Sequence, residues 1–314
     1  MMGMHGAIVD ATHWRIVSNE PAGADEKIWL EDPRDERRWL FKPVLAKDGR
    51  RQGEDWAEKI SSEVARLIGV PAAPVRLAIR WEHGTRVEGA LSGSVVPTGW
   101  EMHHGSVLLS ELVADFDPMD RGRRGHNLET ITQALAGCSP PPDLSESLGL
   151  TAFDVFCGYL ILDAWIANQD RHSDNWSVLI DPQGQRYLMA SYDHASCLGF
   201  NLDDRTRKRV LHELEGHPGV RHWVKQGRAR RFEDGRTCSL VDFAAHACRR
   251  AASDGCRYWL ARLAAVTDAE EKRIVDSVDG LSHLTRTFCM AVLQANRRRL
   301  LDACDPSREQ PTER

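Results

Sequence analysis

The sequence predicts an α+β fold in two parts, a mostly β first part that carries one key helix and a mainly helical second part. Short apolar runs separated by turn signals fill residues 13 to 113, with one amphipathic helical pattern among them. Helical patterns dominate from residue 126 onward. A third observation concerns the second part, where a long apolar run ends at Ile166 in a cluster of polar side chains.

Composition and charge are those of an ordinary globular chain. The 314 residues are 42% apolar and 28% charged, with a net charge of -5. The chain therefore has no global basic surface for nucleic acid, and its apolar runs are too short to cross a membrane. Its start lacks a signal-peptide pattern, and its eight cysteines contain no Cys-x-x-Cys pair. We therefore predict a cytoplasmic location and reduced thiols without a disulfide framework.

The first part begins with three predicted strands and a helix. The strands are residues 14 to 17, 27 to 30 and 37 to 42. The loop of residues 20 to 26 could cover phosphates with its backbone N–H groups, although it contains a single glycine. Residues 54 to 70 form the helix. Its apolar face consists of Trp56, Ile60, Val64, Leu67 and Ile68.

A lysine and a glutamate in this part are predicted to pair. Glu63 lies three residues after Ile60 and four before Leu67, which places its carboxylate on the buried face of the helix. A buried carboxylate needs a cation, and Lys42 at the end of the preceding strand is the natural partner, whereas Glu58 is expected to face water. Kinases position ATP phosphates with a strand lysine that is paired with a helix glutamate.

Three further strands are predicted at residues 75 to 79, 89 to 96 and 106 to 113. A polar connector of residues 115 to 125 follows them and is the predicted hinge between the two parts. If ATP binds, its adenine is expected to meet backbone groups near the end of the last strand. The residues in question are Leu112, Val113 and Ala114.

The predicted division of the chain follows from this order. Residues 1 to 114 form an N-terminal ATP-binding lobe, residues 115 to 304 form a C-terminal catalytic helical lobe, and residues 305 to 314 form a disordered tail.

The polar cluster after Ile166 has the spacing of a kinase catalytic loop. Asp170 precedes Asn175 by five residues, so an Asp that accepts a proton from an attacking hydroxyl is followed by an Asn that can hold Mg²⁺. A hairpin predicted after this loop places Asp193 beside Asn175, where both could bind the same ion. His172 is expected to brace the loop by hydrogen bonding more than to act as a base. The alternative is a polar surface loop rich in Asp and Asn, in which Asp174 is solvated.

These residues resemble the catalytic signature of HipA-like bacterial kinases. The resemblance is carried by Asn168-Gln-Asp-Arg-His-Ser-Asp-Asn175, by Tyr192-Asp-His-Ala-Ser-Cys-Leu-Gly199 and by Trp39-Leu-Phe-Lys-Pro43 with the helix that follows. It implies a two-lobed, protein-kinase-like fold. It also implies Asp170 as the catalytic Asp, Asn175 and Asp193 as magnesium ligands, and Lys42 as the group that holds the ATP phosphates.

The resemblance implies an ATP- and Mg-dependent kinase that phosphorylates Ser or Thr hydroxyls of a protein, itself included. The Asp-Arg-His-x-x-Asn motif is also similar to that of phosphatidylinositol kinases, so a lipid or small-molecule kinase is an alternative. An ATP-binding pseudokinase that acts as an interaction module is another. HipA toxins use an extra N-terminal subdomain to engage a DNA-binding antitoxin. In this sequence the predicted kinase core begins near residue 13, so whether the protein has an antitoxin-like partner is left open.

Overall fold

The computed structural model describes residues 8–20, 27–44, 46–47, 49–212, 219–251 and 253–304. These residues form a sheet-rich first lobe and a mainly helical second lobe, which confirms the predicted fold class. The predicted phosphate-covering loop, except for Glu20, and the predicted disordered tail lie outside the described residues. Within the described ranges, no helix combines the length and the apolar character that crossing a bilayer requires.

A six-stranded sheet forms most of the first lobe. Its strands are β1 (Val9–Asp10), β2 (Arg15–Glu20), β3 (Lys27–Glu31), β4 (Arg38–Pro43), β7 (Val75–Glu82) and β8 (Thr85–Gly93), while β5 (Ala46–Lys47) and β6 (Arg50–Arg51) form a separate ribbon. The spatial order is β1-β7-β8-β4-β3-β2, and all neighbours are antiparallel except the pair β1 and β7. Lys42 is paired with Ala90 in this sheet and therefore lies on an interior strand.

The helix of the first lobe, α1 (Glu54–Ile68), joins the sheet to the second lobe. Its apolar face belongs to the same core as the helices of the second lobe, through Trp56, Ile60, Val64 and Ile68. The backbone N–H of Gly53 also donates to the carbonyl of Phe200 at 3.0 Å. The helix ends at Gly69, whose φ of 75° lies in the left-handed region that glycine tolerates best.

A three-stranded sheet lies in the second lobe. It contains β9 (Glu101–His104), β10 (Ser177–Ile180) and β11 (Arg186–Leu188), in the order β11-β10-β9 with antiparallel neighbours. The predicted hairpin after the polar loop is thus present as β10 and β11. Because β9 pairs with β10, the chain passes from the first sheet to the second at residues 94 to 100. The predicted lobe boundary after residue 114 stays a prediction.

The helices of the second lobe are α2 (Gly105–Leu112), α3 (Leu128–Ala134), α4 (Ala152–Ile166), α5 (Asp204–Leu211), α6 (Gly219–Trp223), α7 (Leu240–Arg250), α8 (Ser253–Ala265), α9 (Asp268–Asp276) and α10 (His283–Ala303), with a 3₁₀ turn at Glu146–Leu148. The central helix is α4, in which every residue is buried. Thr151 and Asp154 cap it reciprocally, as the sequence predicts.

The strand predicted at residues 106 to 113 is wrong, because this segment forms α2. A short apolar run such as Val107-Leu108-Leu109 does not distinguish a strand from a helix. The helix buries Leu108 and Leu109 in the main core and leaves Leu112 half exposed at its C-terminal end. Gly105 begins the helix, where a Cβ atom would overlap the ring of Trp176.

The prediction that all cysteines are reduced is also wrong. Cys248 near the end of α7 and Cys256 near the start of α8 form a disulfide, with their Cα atoms 5.3 Å apart. A spacing of eight residues with no Cys-x-x-Cys pattern gives no sequence signal for this bond, because the packing of α7 against α8 brings the thiols together. The other six cysteines are free.

Candidate active site

The loop after α4 is shaped by a buried ion pair. Arg171 donates from Nε and Nη2 to the two carboxylate oxygens of Asp163 at 2.8 Å each, and its Nη1 donates to the carbonyl of Asn175 at 2.7 Å. Asn168 donates to the same Asp163 at 2.7 Å. Both ions of the pair are almost fully buried, and these aligned hydrogen bonds offset the cost of removing the two charges from water. This clamp closes the loop, which brings Asp170 close to Asn175.

Within the loop, Asp170 and Asn175 are in direct contact. The amide nitrogen of Asn175 donates to the carbonyl of Asp170 at 2.8 Å, and its backbone N–H donates to the carbonyl of His172 at 3.0 Å. Because the side-chain nitrogen is used in this contact, the carboxamide oxygen is the atom left to bind a cation. The Asp170 carboxylate is about one quarter exposed, so it is accessible to an acceptor.

Lys42 joins two carboxylates across the lobes. Its Nζ lies 2.8 Å from Oε1 of Glu58 on α1 and 2.9 Å from Oδ1 of Asp193, which follows β11. Burial disfavours the ammonium ion, but Asp193 and Glu58 outweigh this effect and raise the pKa of Lys42. Lys42 in turn lowers the pKa of Asp193 well below its ordinary value. The cluster therefore places an ionised Asp193 beside a charged lysine.

The predicted pair of Lys42 with Glu63 is wrong. Glu63 is bound by its helix neighbours Lys59, at 2.6 Å, and Arg66, at 2.5 Å. The buried stripe of α1 passes through Ile60, Ser61, Val64 and Ile68, while Leu67 is only partly buried. Counting from Leu67 therefore placed the inward face too far around the helix. Glu58, which was predicted to face water, is 2% exposed and is the partner of Lys42.

Burial raises the pKa of Glu58, while the adjacent Lys42 opposes that rise. The single ammonium group of Lys42 faces two carboxylates, so an added cation would be favoured here. Asp193 and the carboxamide of Asn175 offer only oxygen ligands, which is the donor chemistry that Mg²⁺ prefers. Within the part of the chain that the structure describes, no group of three or more His, Cys, Asp or Glu side chains could hold a metal. The residues fit an ion held jointly with nucleotide phosphates.

Asp193 has an unusual backbone conformation. Its φ is 58°, in the left-handed region that Asp and Asn adopt more readily than most residues. The next residue, His194, is buried and accepts at Nε2 from Ser191 and Arg171, at 2.7 and 3.2 Å. These contacts tie the backbone after β11 to the clamp of the polar loop. Asp193 is thereby held where it meets Lys42.

His172 and Asp174 make structural contacts. His172 accepts a hydrogen bond at Nδ1 from the backbone N–H of Asp174 at 3.2 Å, and burial lowers its pKa. Asp174 accepts from the hydroxyl of Ser106, and its carbonyl accepts from Tyr192 at 2.7 Å. The geometry agrees with a bracing role for His172. Asp174 is partly exposed but is tied to α2, so it is less free than the sequence suggests.

Leu112, Val113 and Ala114 lie at the C-terminal end of α2 and just beyond it. The adenine contact predicted for their backbone depended on a strand that is absent from this segment. That contact stays a prediction, and the helical geometry gives it no support.

An arginine that no sequence motif indicates lies on the Asp170 carboxylate. Arg231 approaches Oδ1 of Asp170 with Nε at 2.7 Å and Nη2 at 2.6 Å, and Ser196 lies 3.4 Å from the other oxygen. Arg231 is 61 residues from Asp170 along the chain. It belongs to a basic stretch without periodicity, so no sequence signal distinguishes it from its neighbours.

The segment of Arg231 is attached to the site through a buried histidine. His126 donates from Nδ1 to the carbonyl of Arg231 at 2.7 Å and accepts at Nε2 from the indole of Trp176 at 3.2 Å. Its ring also stacks on Phe232, with the centroids 4.6 Å apart. These contacts require the neutral ring with its proton on Nδ1. Burial lowers the pKa of His126 to about 4.

We expect the free energy of unfolding to decrease below pH 6.5 because of His126. Its folded pKa lies below the ordinary value of 6.5, so the unfolded chain binds the extra proton first. The stabilisation is complete above pH 6.5 and is lost as the pH falls toward 4, at most about 1.4 kcal/mol per pH unit. Urea unfolding at several pH values measures this slope.

His126→Gln should reduce the slope, whereas His222→Gln, at an exposed position of α6, should retain it. Equal pH slopes for His126→Gln and the parent protein would contradict this assignment.

Three solved structures are compared with the chain. The Helicobacter pylori proinflammatory kinase CtkA has a TM-score of 0.72 and 15% identity, and the match covers 95% of this chain and 97% of CtkA. The chain has a protein-kinase-like fold. This likeness, at the level of the fold, agrees with the kinase resemblance of the motifs.

Two other matches are more distant. HipA of Shewanella oneidensis MR-1, solved with HipB and operator DNA, has a TM-score of 0.45 and 13% identity, covering 93% of this chain and 66% of that one. The Leishmania major MAP kinase LmaMPK10 has a TM-score of 0.29 and 12% identity, covering 93% and 81%. Both scores are too low to support a shared fold by themselves. No protein-family model matches the sequence, and neither does any curated protein.

Proposed function

We propose that the protein is an ATP- and Mg²⁺-dependent kinase that transfers the γ-phosphoryl group to Ser or Thr hydroxyls of a protein. One observation carries the proposal: Lys42 bridges Glu58 and Asp193, and Asp193 is tied to the loop that contains Asp170 and Asn175. A protein-kinase-like fold supplies the two lobes between which such a site lies. The chemistry requires placement and charge neutralisation more than covalent catalysis.

Each side chain has a distinct role in this proposal. Lys42 binds the phosphates of ATP, and Glu58 keeps its ammonium group in place. Asn175 and Asp193 would hold Mg²⁺, which supplies the charge that neutralises the phosphates. Asp170 orients the acceptor hydroxyl and accepts its proton. The cytoplasmic location and the antitoxin-like partner stay predictions.

The proposal is tested by incubating the purified protein with γ-labelled ATP and Mg²⁺. Parallel reactions contain the protein alone, a cell lysate and phosphoinositide vesicles. Label on protein, sensitive to removal of Mg²⁺ and resistant to lipid extraction, is the expected result. Label on lipid alone would establish the lipid-kinase alternative. ATP binding without transfer to any acceptor would establish the pseudokinase alternative.

Glu58→Gln is expected to weaken ATP affinity about tenfold, which corresponds to about 1.4 kcal/mol. The substitution keeps the shape of the side chain but removes the charge that orients the Lys42 ammonium group. Glu63→Gln is a matched control on the same helix, and it should change the affinity less than about twofold because Glu63 contacts only Lys59 and Arg66 in the described structure. Titration calorimetry with ATP and Mg²⁺ measures both. A larger loss in Glu63→Gln than in Glu58→Gln would contradict the pairing.

A further inference from the structure

Two arginines place positive charge near Asp170. Arg231 binds one carboxylate oxygen of Asp170 directly. Arg123 belongs to the polar connector of residues 115 to 125. Burial lowers the pKa of Arg123, and repulsion from Arg231 lowers it further, while Asp120 and Asp170 oppose this effect. Nη1 of Arg123 donates to the carbonyl of Pro118 at 2.9 Å, so the connector itself holds this guanidinium group within range of the charges of Arg231 and Asp170.

Both arginines are positioned by the same buried residue. His126 donates from its backbone N–H to the carbonyl of Arg123 at 3.0 Å and from its ring to the carbonyl of Arg231 at 2.7 Å. Its other ring nitrogen is bound by Trp176, the residue that follows the catalytic-loop Asn175. The connector, the Arg231 segment and the catalytic loop thus meet at His126. The position of both backbones is set by the fold, independently of either arginine side chain.

The segment on each side of Arg231 is also fixed. Glu233 accepts from the backbone of Gly125 and from the side chain of Asn127, both at 2.8 Å. Gln169, the neighbour of Asp170, accepts from the backbone of Arg228 at 3.0 Å. Arg231 is consequently held beside Asp170 by contacts on both sides of it. Its side chain is 30% exposed, so the guanidinium group is accessible to a substrate.

The catalytic loop does not itself supply this cation. Arg171, adjacent to Asp170, is buried and donates its hydrogen bonds to Asp163 and to the carbonyl of Asn175. The charge next to Asp170 comes from Arg231 instead, and no described residue accepts a hydrogen bond from Arg231 Nη1. The charges acting on Arg123 are those of two arginines, Arg231 and Arg236, and of two carboxylates, Asp120 and Asp170. One of these carboxylates, Asp170, is already paired.

We propose that Arg123 and Arg231 form a basic acceptor pocket that selects Ser or Thr hydroxyls flanked by acidic side chains. The inference rests on the proposed kinase function, because it identifies the class of acceptor that the site takes. Guanidinium groups bind carboxylates through two parallel hydrogen bonds, which gives both affinity and orientation. An acidic group near the acceptor hydroxyl would engage the exposed edge of these arginines while the hydroxyl faces Asp170. A basic side chain next to the acceptor hydroxyl would be repelled by the two arginines.

The test measures peptide binding by fluorescence anisotropy, with no requirement for phosphoryl transfer. Three labelled peptides share one Ser and carry Glu, Gln or Lys at the flanking positions. The parent protein should bind the Glu peptide about tenfold more tightly than the Gln peptide and the Lys peptide most weakly. Arg123→Gln and Arg231→Gln should each reduce the preference for Glu. Arg230→Gln, an exposed neighbour, should leave it unchanged.

A charge reversal keeps the test informative if one variant is unstable. Arg123→Glu, checked by thermal unfolding, should shift the preference toward the Lys peptide. Equal affinity for the Glu and Gln peptides, or a preference for Lys in the parent, would overturn the acceptor pocket. Competition by phosphoinositide vesicles with no peptide preference would also overturn it in favour of a lipid headgroup. Failure of the kinase proposal is separate, because it appears as absent label transfer from ATP with every acceptor.

Discussion

Asp170→Asn is expected to lower kcat by about 10²- to 10⁴-fold while ATP affinity changes little. The carboxylate of Asp170 contacts Arg231 and Ser196 on the acceptor side, whereas Lys42 meets Glu58 and Asp193. In the proposed reaction, the substitution would therefore remove an interaction made with the acceptor hydroxyl during transfer. Steady-state phosphorylation and ATP titration of the same variant separate the two effects.

Asp174→Asn is the control from the same loop. Its carboxylate accepts from the Ser106 hydroxyl, a contact that a carboxamide oxygen can retain. Its kcat should stay within about threefold of the parent, because a neutral acceptor replaces a charged one in a single, partly exposed hydrogen bond. If Asp174→Asn abolished phosphorylation and Asp170→Asn retained it, the positions assigned within the catalytic loop would be wrong.

Asp193→Asn is expected to have the second large effect, on the requirement for Mg²⁺. The substitution removes the anionic oxygen that would hold the ion, so the Mg²⁺ concentration for half-maximal activity should rise about tenfold or more. Asn is preferred to Ala because the backbone at this position has a φ of 58° and Asn tolerates that region. Activity measured across a Mg²⁺ series at saturating ATP gives the shift.

The matched control for Asp193 is Asp143→Asn, which removes a carboxylate from an exposed loop. It should leave the Mg²⁺ requirement unchanged. Asn175→Ala should shift the requirement in the same direction as Asp193→Asn, since both residues would hold the same ion. A Mg²⁺ requirement equal to that of the parent in both site variants would exclude them as ligands.

The sequence predicted the parts of the site that depend on local pattern. The buried helix α4 has an apolar run and a capping pair, Thr151 and Asp154, and the loop with Asp170 and Asn175 follows it directly. The hairpin that leads to Asp193 has a turn signature between two short apolar runs. In these segments, residues that are close in sequence are also close in space. Periodicity and spacing were therefore sufficient to predict these elements and the positions of their side chains.

The sequence failed where the partner is decided by packing. Whether Glu58 or Glu63 meets Lys42 depends on the rotation of α1, which is set by its contacts with the sheet and with the second lobe. Arg231 contacts Asp170 directly, and the buried His126 holds the backbone of Arg231 in place. Neither Arg231 nor His126 is distinguished by its neighbours in sequence. Three-dimensional contacts of this kind leave no pattern in a single sequence.

The attachment of α1 also constrains how the candidate site could be regulated. Trp56, Ile60, Val64 and Ile68 bury their side chains in the core shared with the second lobe. Exposing them would cost roughly 6 to 12 kcal/mol, comparable with the whole stability of a typical domain. An inactive state in which α1 swings outward, separating Glu58 from Lys42, would therefore be too rare to serve as a resting form. Regulation of this site is therefore expected to leave α1 in place on the core that it shares with the second lobe.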